Sequence, residues 1–240
     1  MLAVVPREFA DALVQRSGDA GRRWVEAVPA LAERLCRQWQ IELTGDAALY
    51  GDNNLLLPAR HATDACMLKL CVPGHDSVAE VTALLAWDGR GAVRLQEASL
   101  GDGALLLEQL DSGRALSGLG LFDAAEIAGD LIRQLTIPAP PGLCQLRDMA
   151  TEIAQTLRPR QNALGSPVPA RWVGQATRLA AELAADAGAN LVHADLHYGN
   201  ILAGTRQPWL AIDPKAIAGD PNGFTSDPVR CHRLLDALAR

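Results

Sequence analysis

The stretch that decides the fold is Leu191-Val-His-Ala-Asp-Leu-His-Tyr-Gly-Asn-Ile-Leu202, followed by Trp209-Leu-Ala-Ile-Asp-Pro-Lys215. The first segment starts apolar, becomes polar in its middle and turns apolar again. This pattern predicts a polar loop, then a hairpin through residues 204–208, then a strand that ends at Asp213. Because the residue before a proline favours extended backbone, Pro214 predicts an extended Asp213 whose carboxylate points out of the strand end.

Asp195, Asn200 and Asp213 carry the side chains that phosphoryl transfer needs. Asp195 precedes Asn200 by five residues, which is the spacing of the Asp and Asn in a kinase catalytic loop. The chemistry requires a carboxylate that orients and deprotonates the acceptor hydroxyl, and oxygen ligands for the Mg²⁺ on the nucleotide phosphates. We therefore expect Asp195 to be the catalytic base and Asn200 and Asp213 to bind Mg²⁺.

Two other interpretations of this stretch fit less well. The first makes His193, Asp195 and His197 the metal ligands of a hydrolase. A two-metal site needs more ligands, and none of the other three histidines lies in a cluster with an acid. In the second, Asp195 and Asn200 only cap turns, which both residue types do well. That leaves unexplained why so many polar groups stand between two apolar strands.

The sequence resembles the aminoglycoside kinases, and within them the streptomycin 6-kinase-like aminoglycoside/hydroxyurea antibiotic resistance family. The resemblance is carried by HADLHYGNIL at 193–202, WLAIDPKAIAGDP at 209–221, GDAGRRWVEAVPALAERLCRQW at 18–39 and WDGRGAVRLQEA at 87–98. It implies an α+β, two-lobed, protein-kinase-like fold with a small antiparallel-sheet N-lobe and a mainly helical C-lobe. It also implies transfer of the ATP γ-phosphate to a hydroxyl of the antibiotic.

A lysine inside an apolar strand also fits a kinase. Residues 66–72 read as one strand of a hairpin whose turn spans Pro58 to Asp64. An unpaired buried ammonium is costly, so Lys69 is expected to bind an anion, as the phosphate-binding strand lysine of a kinase does. Glu80, in the first turn of a helix predicted over residues 76–88, is its expected partner. Alternatively, Lys69 reaches solvent from an edge strand, and the helix dipole alone favours Glu80.

The small lobe is predicted to end at Leu110. Residues 1–110 would form N-terminal helices and the β-rich nucleotide lobe, and residues 111–240 the mainly helical catalytic and substrate lobe. Strands are predicted at 91–96 and 104–110, followed by a linker at Asp111-Ser-Gly113. By resemblance, Glu108 to Leu110 offer backbone groups to adenine, which makes Glu108 and Leu110 nucleotide-binding residues.

Helical periodicity predicts the remaining helices. They span residues 6–40 with a break at 18–21, then 122–135, 143–157 and 170–187, with a loop at 159–169 between the last two. The chain departs from the family pattern in three places. Residues 49–54 lack the family's paired glycines, Ala194 stands where the family usually has Gly, and only one short helical segment, 228–240, follows Pro221. The C-terminal helices are therefore expected to be shortened.

Composition narrows the class of protein. The 240 residues carry a net charge of −6, which argues against a nucleic-acid partner and suits a cationic small molecule, although mild acidity also keeps a protein soluble. No apolar run is long enough to span a membrane. Five Cys without metal-site spacing, and no signal peptide, predict reduced thiols and a cytoplasmic location. No obligate protein partner is indicated.

The sequence thus predicts an ATP- and Mg²⁺-dependent O-phosphotransferase that modifies a hydroxyl of a streptomycin-like aminoglycoside and so inactivates the antibiotic. Two alternatives stay open. One is a catalytically impaired nucleotide- or ligand-binding remnant of the same fold, which the Gly-poor loop and short tail motivate. The other is a kinase for a different small hydroxylated metabolite.

Overall fold

A computed structural model describes residues 5–72 and 77–220. Within these residues the helices are α1 (Arg7–Trp39), α2 (Ser77–Trp87), α3 (Leu121–Leu135), α4 (Leu146–Ala163) and α5 (Ala170–Ala185). The strands are β1 (Ile41–Leu43), β2 (Leu49–Tyr50), β3 (Asn54–His61), β4 (Asp64–Cys71), β5 (Leu95–Ser99), β6 (Ala104–Glu108), β7 (Asp111–Ala115), β8 (Asn190–Val192), β9 (Ile201–Ala203), β10 (Trp209–Ala211) and β11 (Ile217–Gly219). The predicted segment 228–240 lies outside the described residues.

The chain divides into two compact units. Of the described residues, the first unit contains 5–72, 77–115 and 202–212, and the second contains 116–201 and 213–220. This division differs from the predicted boundary after Leu110, because residues 111–115 and 202–212 belong to the first unit. The predicted linker is strand β7, and it belongs to a three-stranded sheet in the order β10-β9-β7. The hairpin that follows the loop at residues 193–200 is therefore part of the first unit.

The first unit is built on an antiparallel sheet with the strand order β1-β3-β4-β6-β5, in which β2 also pairs with β3. One face of α1 presents Val28, Ala32 and Leu35 at helical spacing, and all three are fully buried. They form one core cluster with sheet residues that include Leu55 and Leu68. Full burial of a Val- or Leu-sized side chain contributes roughly 1.5–3 kcal/mol, so Val28 and Leu35 stabilise the packing of α1 on the sheet.

Helix α1 reverses direction at Gly18, which confirms the predicted break. Gly18 has φ 57° and ψ −134°, a conformation that is essentially restricted to glycine. A Cβ atom placed on Gly21 would lie 2.7 Å from the backbone oxygen of Leu13, although eight helical residues span about 12 Å in a straight helix. The rings of Phe9 and Trp24 also meet, with centroids 5.9 Å apart. Residues 7–17 therefore fold back onto residues 19–39.

The β3–β4 hairpin differs from the prediction at its turn. The turn was predicted over Pro58 to Asp64, but Pro58 lies within β3, opposite Met67, and only residues 62–63 connect the strands. The backbone oxygen of Pro58 accepts a hydrogen bond from the N–H of Thr44, so its nitrogen faces the same side, where β1 has already ended. A proline is tolerated there because no partner strand requires its N–H.

The strand predicted at residues 91–96 begins later, at Leu95. Gly91 has a positive φ of 68°, and the segment bonds to β10 rather than continuing β5. The N–H of Ala211 donates to the oxygen of Gly91, and the N–H of Val93 donates to the oxygen of Ala211, both at 2.9 Å. These residues therefore join the β9–β10 hairpin to the sheet.

The second unit combines α3, α4 and α5 with the antiparallel pair β8–β11. Leu146 at the start of α4 packs with Val192 and Ile217 of the two strands in one buried cluster. Helix α4 runs past its predicted end through Pro159 to Ala163. Pro159 removes the hydrogen bond to the carbonyl of Gln155, and both residues are exposed, so water can satisfy that oxygen.

Among the described helices, none has the combination of length and apolar character that crossing a bilayer requires.

Candidate active site

Lys69 and Glu80 form a buried ion pair in the first unit. Lys69 Nζ lies 2.7 Å from Oε1 and 2.8 Å from Oε2 of Glu80, and the two side chains are 3% and 2% exposed. Lys69 stands on β4 between Leu56 of β3 and Leu105 of β6. Glu80 is in the first turn of α2, as predicted. Lys69 therefore does not extend to solvent from an edge strand, and its contact with phosphates stays a prediction.

The loop that carries Asp195 is closed by hydrogen bonds to its own main chain. The backbone oxygen of Asp195 accepts from the N–H of His197 at 3.0 Å and from Nδ2 of Asn200 at 2.9 Å. The N–H of Asn200 donates to the oxygen of His197 at 2.9 Å, and the N–H of Asp195 lies 3.4 Å from Nδ1 of the buried His193. The five-residue spacing thus lets the Asn200 side chain reach back and fix the loop.

Asp213 belongs to the same unit as this loop. Strands β8 and β11 pair with Val192 opposite Ile217, so the chain that leaves β8 runs beside the chain that enters β11. The N–H of Lys215 donates to the oxygen of His193 at 2.9 Å. The structure therefore brings the Asp195 loop and the turn at Asp213 to the same end of one two-stranded sheet.

The prediction of an extended Asp213 is wrong, because its φ is 55°, in the left-handed region. Aspartate adopts this region more readily than most residues since its short side chain can form local hydrogen bonds. Here Asp213 Oδ2 accepts from Nζ of Lys215, two residues later, at 3.1 Å. The hairpin that precedes it is confirmed, with the N–H of Gly204 donating to the oxygen of Pro208 at 3.3 Å.

Asn200 and Asp213 fit a metal ion that arrives with a nucleotide. The amide nitrogen of Asn200 donates to the backbone oxygen of Asp195, so its side-chain oxygen is the atom that could bind a metal ion, and Asp213 offers a carboxylate. Mg²⁺ is typically held by one or two such groups together with phosphate oxygens and water. In the part of the chain that is described, no group of three His, Cys, Asp or Glu side chains could hold a metal ion. An amide oxygen and a carboxylate fit the ligand types of nucleotide-borne Mg²⁺, and the metal role of Asn200 and Asp213 stays a prediction.

Glu108, predicted to face adenine, has its side chain bound elsewhere. Its two carboxylate oxygens accept from Arg206, with Nη2–Oε1 at 2.6 Å and Nε–Oε2 at 3.3 Å, and Oε1 also accepts from the N–H of Arg94 at 2.7 Å. The N–H of Glu108 donates to the oxygen of Arg94 at 3.0 Å. Any adenine contact made by Glu108 is thus restricted to its backbone oxygen, and the role of Leu110 stays a prediction.

Arg206 is a residue that sequence reasoning missed. Besides Glu108, its guanidinium donates to the backbone oxygens of Gly89 at 2.5 Å and Ala92 at 3.1 Å. It lies on the β9–β10 connection, so one side chain fastens this hairpin to the α2–β5 loop and to the end of β6. No signal in the sequence distinguishes it from the other arginines, because its partners are about a hundred positions away in the chain.

A sheet with a buried strand lysine and helix glutamate, together with a helical unit whose loop carries Asp195 and Asn200, is typical of a protein-kinase-like phosphotransferase. The comparisons agree. Residues 38–233 match the family described as aminoglycoside/hydroxyurea antibiotic resistance kinase. The chain is similar in fold to the crystal structure of aminoglycoside phosphotransferase APH(4)-Ia, with a TM-score of 0.55 and 15% identity, over 80% of this chain and 74% of that one.

Two relatives are similar in sequence. A hydroxyurea phosphotransferase of Kitasatospora aureofaciens is 42% identical over 226 residues, which cover 92% of this chain and 66% of that protein. A streptomycin 6-kinase of Streptomyces glaucescens is 37% identical over 242 residues, which cover 100% of this chain and 78% of that protein. The chain therefore belongs to the aminoglycoside/hydroxyurea antibiotic resistance kinase family. The predicted family and the protein-kinase-like α+β fold are confirmed, and the prediction of a kinase is confirmed at the level of the family.

Proposed function

We propose that this chain is an ATP- and Mg²⁺-dependent phosphotransferase that phosphorylates a hydroxyl of a streptomycin-like aminoglycoside and thereby inactivates it. The observation that carries the proposal is the closed loop in which Asn200 binds the main chain of Asp195, at the same end of the β8–β11 pair as Asp213. Family membership and the buried Lys69–Glu80 pair support it.

The residues of this chain divide the chemistry between them. Asp195 accepts the proton of the acceptor hydroxyl while the hydroxyl oxygen bonds to the γ-phosphorus of ATP. The bond from that phosphorus to the bridging oxygen breaks, and ADP leaves with both of its electrons. Lys69, held by Glu80, binds the α- and β-phosphates. Positioning and charge stabilisation supply most of the rate enhancement in this kind of reaction, because the protein forms no covalent bond.

Asn200 and Asp213 would hold the Mg²⁺ that accompanies the nucleotide. When bound, the ion neutralises phosphate charge and orients the phosphate oxygens. Lys215, at 3.1 Å from Asp213, provides a positive charge to the same carboxylate. A carboxylate oxygen is the kind of ligand that a hard cation such as Mg²⁺ binds.

The acceptor is assigned to the aminoglycoside class on two grounds. The streptomycin 6-kinase of Streptomyces glaucescens aligns with the whole chain, and the net charge of −6 raises the local concentration of a polycationic substrate. Hydroxyurea is a second candidate acceptor, because the relative named hydroxyurea phosphotransferase has the higher identity, 42% against 37%.

We further propose that the enzyme works in the cytoplasm without a protein partner. ATP and reduced thiols belong to that compartment, and Cys36, Cys66 and Cys144 of the described residues are free thiols. Burial raises the pKa of the thiols of Cys36 and Cys66, which keeps them protonated and unreactive.

Transfer of labelled γ-phosphate to a panel of acceptors tests the proposal. The purified chain is incubated with MgATP and streptomycin, hydroxyurea or an amino alcohol, and a reaction without acceptor serves as the control. The proposal predicts labelled streptomycin and dependence on Mg²⁺. Labelled hydroxyurea alone would identify the second candidate. Nucleotide binding without transfer to any acceptor would instead indicate a catalytically impaired member of the family.

A further inference from the structure

The hairpin turn at residues 49–54 lies next to the phosphate-binding lysine proposed above. Strand β3 pairs with β4 so that Leu56 is opposite Lys69 and Asn54 is opposite Cys71. The turn at residues 51–53 comes directly before Asn54. The N–H of Val72, three residues after Lys69, donates to the oxygen of Asn53 at 2.9 Å. This nucleotide loop, residues 49–54, is therefore fixed on one side by the strand that carries Lys69.

The nucleotide loop contains little glycine, the residue that would let its backbone N–H groups turn toward a phosphate. Its sequence is Leu-Tyr-Gly-Asp-Asn-Asn, and Gly51 is its only glycine. Backbone N–H groups bind phosphates well only when the loop presents them in one direction, and glycine-rich loops achieve this through their conformational freedom. In a loop with one glycine, other contacts must hold the backbone N–H groups in that direction.

Helix α1 supplies contacts on the other side of the loop. The hydroxyl of Tyr50 donates to Oε2 of Glu8 at 3.0 Å, and the rings of Phe9 and Tyr50 have centroids 5.5 Å apart. Nη2 of Arg16 donates to the backbone oxygen of Asp52. The α1 residues that make these contacts, Glu8, Phe9 and Arg16, lie on one face of the helix. The hydrogen bond to Glu8 also raises the pKa of Tyr50.

These contacts matter because α1 and the loop do not pack solidly against each other. A cleft of about 200 Å³ remains between them, with Ala12 and Leu13 of the helix and Gly51 of the loop among its lining residues. The loop is therefore held on this side by the contacts of Glu8, Phe9 and Arg16 and not by continuous apolar packing.

The hydrogen bond from Arg16 to the oxygen of Asp52 also fixes the direction of the next backbone N–H, that of Asn53. In a trans peptide the oxygen of one residue and the N–H of the next point in opposite directions. Since the oxygen of Asp52 is directed at Arg16, the N–H of Asn53 is directed away from α1. We propose that Arg16 is a positioning residue for ATP, which orients the Asn53 N–H as a phosphate donor, and that Glu8 and Phe9 hold the same loop through Tyr50. This inference rests on the proposed function.

Nucleotide binding measured without an acceptor tests the inference separately from the transfer reaction. Calorimetry with the magnesium complex of a non-hydrolysable ATP analogue gives Kd for the parent chain and for Arg16→Ala, Arg16→Gln and Arg7→Ala. We expect Arg16→Ala to raise Kd about tenfold, the effect of losing one hydrogen bond from a charged donor. Arg16→Gln keeps a donor and should stay within about threefold of the parent. Arg7, which pairs with the exposed Asp11, is the matched control and should leave Kd unchanged.

The outcomes separate the two claims. If the parent chain does not bind the nucleotide at all, both the proposed function and this inference are overturned. If the parent binds and Arg16→Ala binds equally well, only the inference is overturned. A thermal midpoint that falls together with affinity would mean that Arg16 merely stabilises α1. In that case Tyr50→Phe, which removes the bond to Glu8 and keeps the ring contact, must still raise Kd without lowering the midpoint for the inference to stand.

Discussion

The guanidinium of Arg206 holds Glu108 through two parallel hydrogen bonds, at 2.6 and 3.3 Å, across 98 positions of the chain. The two side chains are 24% and 17% exposed. The pair fastens the β9–β10 hairpin, which connects Asn200 to Asp213, to the sheet that carries Lys69. We expect it to be more important for stability than the charged pairs on the surface.

Arg206→Ala should lower the free energy of unfolding by about 1–3 kcal/mol, because it leaves a half-buried carboxylate and two backbone oxygens without their charged donor. Arg37→Ala is the matched control. Arg37 pairs with Glu33 at the same distance, 2.6 Å, but those side chains are 67% and 64% exposed, and the loss should not exceed about 0.5 kcal/mol. Denaturant unfolding measures both, and equal losses would show that burial of the Arg206 pair is irrelevant.

The Lys69–Glu80 pair can be tested for stability and for function separately. Lys69→Met or Glu80→Leu alone leaves one buried charge without its partner and should cost about 3–5 kcal/mol. The double variant removes both charges and should cost much less than the sum. It should nevertheless lose affinity for MgATP, because no ammonium remains for the phosphates. A double variant with the nucleotide Kd of the parent chain would exclude Lys69 from phosphate binding.

Ala194 carries backbone strain that a glycine would relieve. Its φ is 59°, and a left-handed conformation costs an L-residue about 1–2 kcal/mol. Glycine also increases the conformational entropy of the unfolded chain, and this cancels about 0.4–1 kcal/mol of the stability gained by relieving the strain. Ala194→Gly should therefore raise the free energy of unfolding by about 0.5–1 kcal/mol. Ala189→Gly, at an exposed position with negative φ outside helices and strands, should lower it. Destabilisation by both substitutions to the same extent would contradict the strain.

The lowered pKa of Asp102 makes the stability of the fold depend on pH. Hydrogen bonds from Arg34, and then from Ser99, lower the pKa of Asp102 from its ordinary value of 3.8. A carboxylate whose pKa is lower in the folded state stabilises the fold above its unfolded pKa, and that contribution is lost as pH falls through the folded pKa. The stability difference between the parent and Asp102→Asn should thus be larger at pH 7 than at an acid pH below the pKa of folded Asp102. Arg34→Gln should remove most of this pH dependence, and an unchanged dependence would contradict the assignment.

The parts of the site that are local in sequence could be predicted, and those that depend on distant contacts could not. Asp195 and Asn200 are five residues apart, and the hydrogen bond between them is the reason for that spacing. Lys69 and Glu80 are eleven residues apart in the chain, so their pairing is also a contact between residues close in sequence. The side-chain environment of Glu108 was not predictable, because it is set by Arg206.

The errors in the predicted fold have the same origin. Pro58 indicates a turn when the strand is considered alone, but the end of β1 creates a place in the sheet where its missing N–H is tolerated. The segment 111–113 is predicted as a linker from its own residues, but Asp111 pairs with Ala203 of β9. Pro214 predicts an extended Asp213 from local sterics, whereas the Asp213 backbone is left-handed and its side chain bonds to Lys215.

The central claim is that Asp195 is the base that deprotonates the acceptor hydroxyl during phosphoryl transfer from ATP. Its most direct test is the turnover of Asp195→Asn with saturating MgATP and streptomycin, or whichever acceptor the panel identifies. We predict a loss of about 10²–10⁴-fold, the usual effect of removing a general base. The nucleotide Kd and thermal midpoint should stay near those of the parent, and Asp148→Asn, at an exposed position of α4, should turn over normally. Turnover of Asp195→Asn within about threefold of the parent would contradict the account.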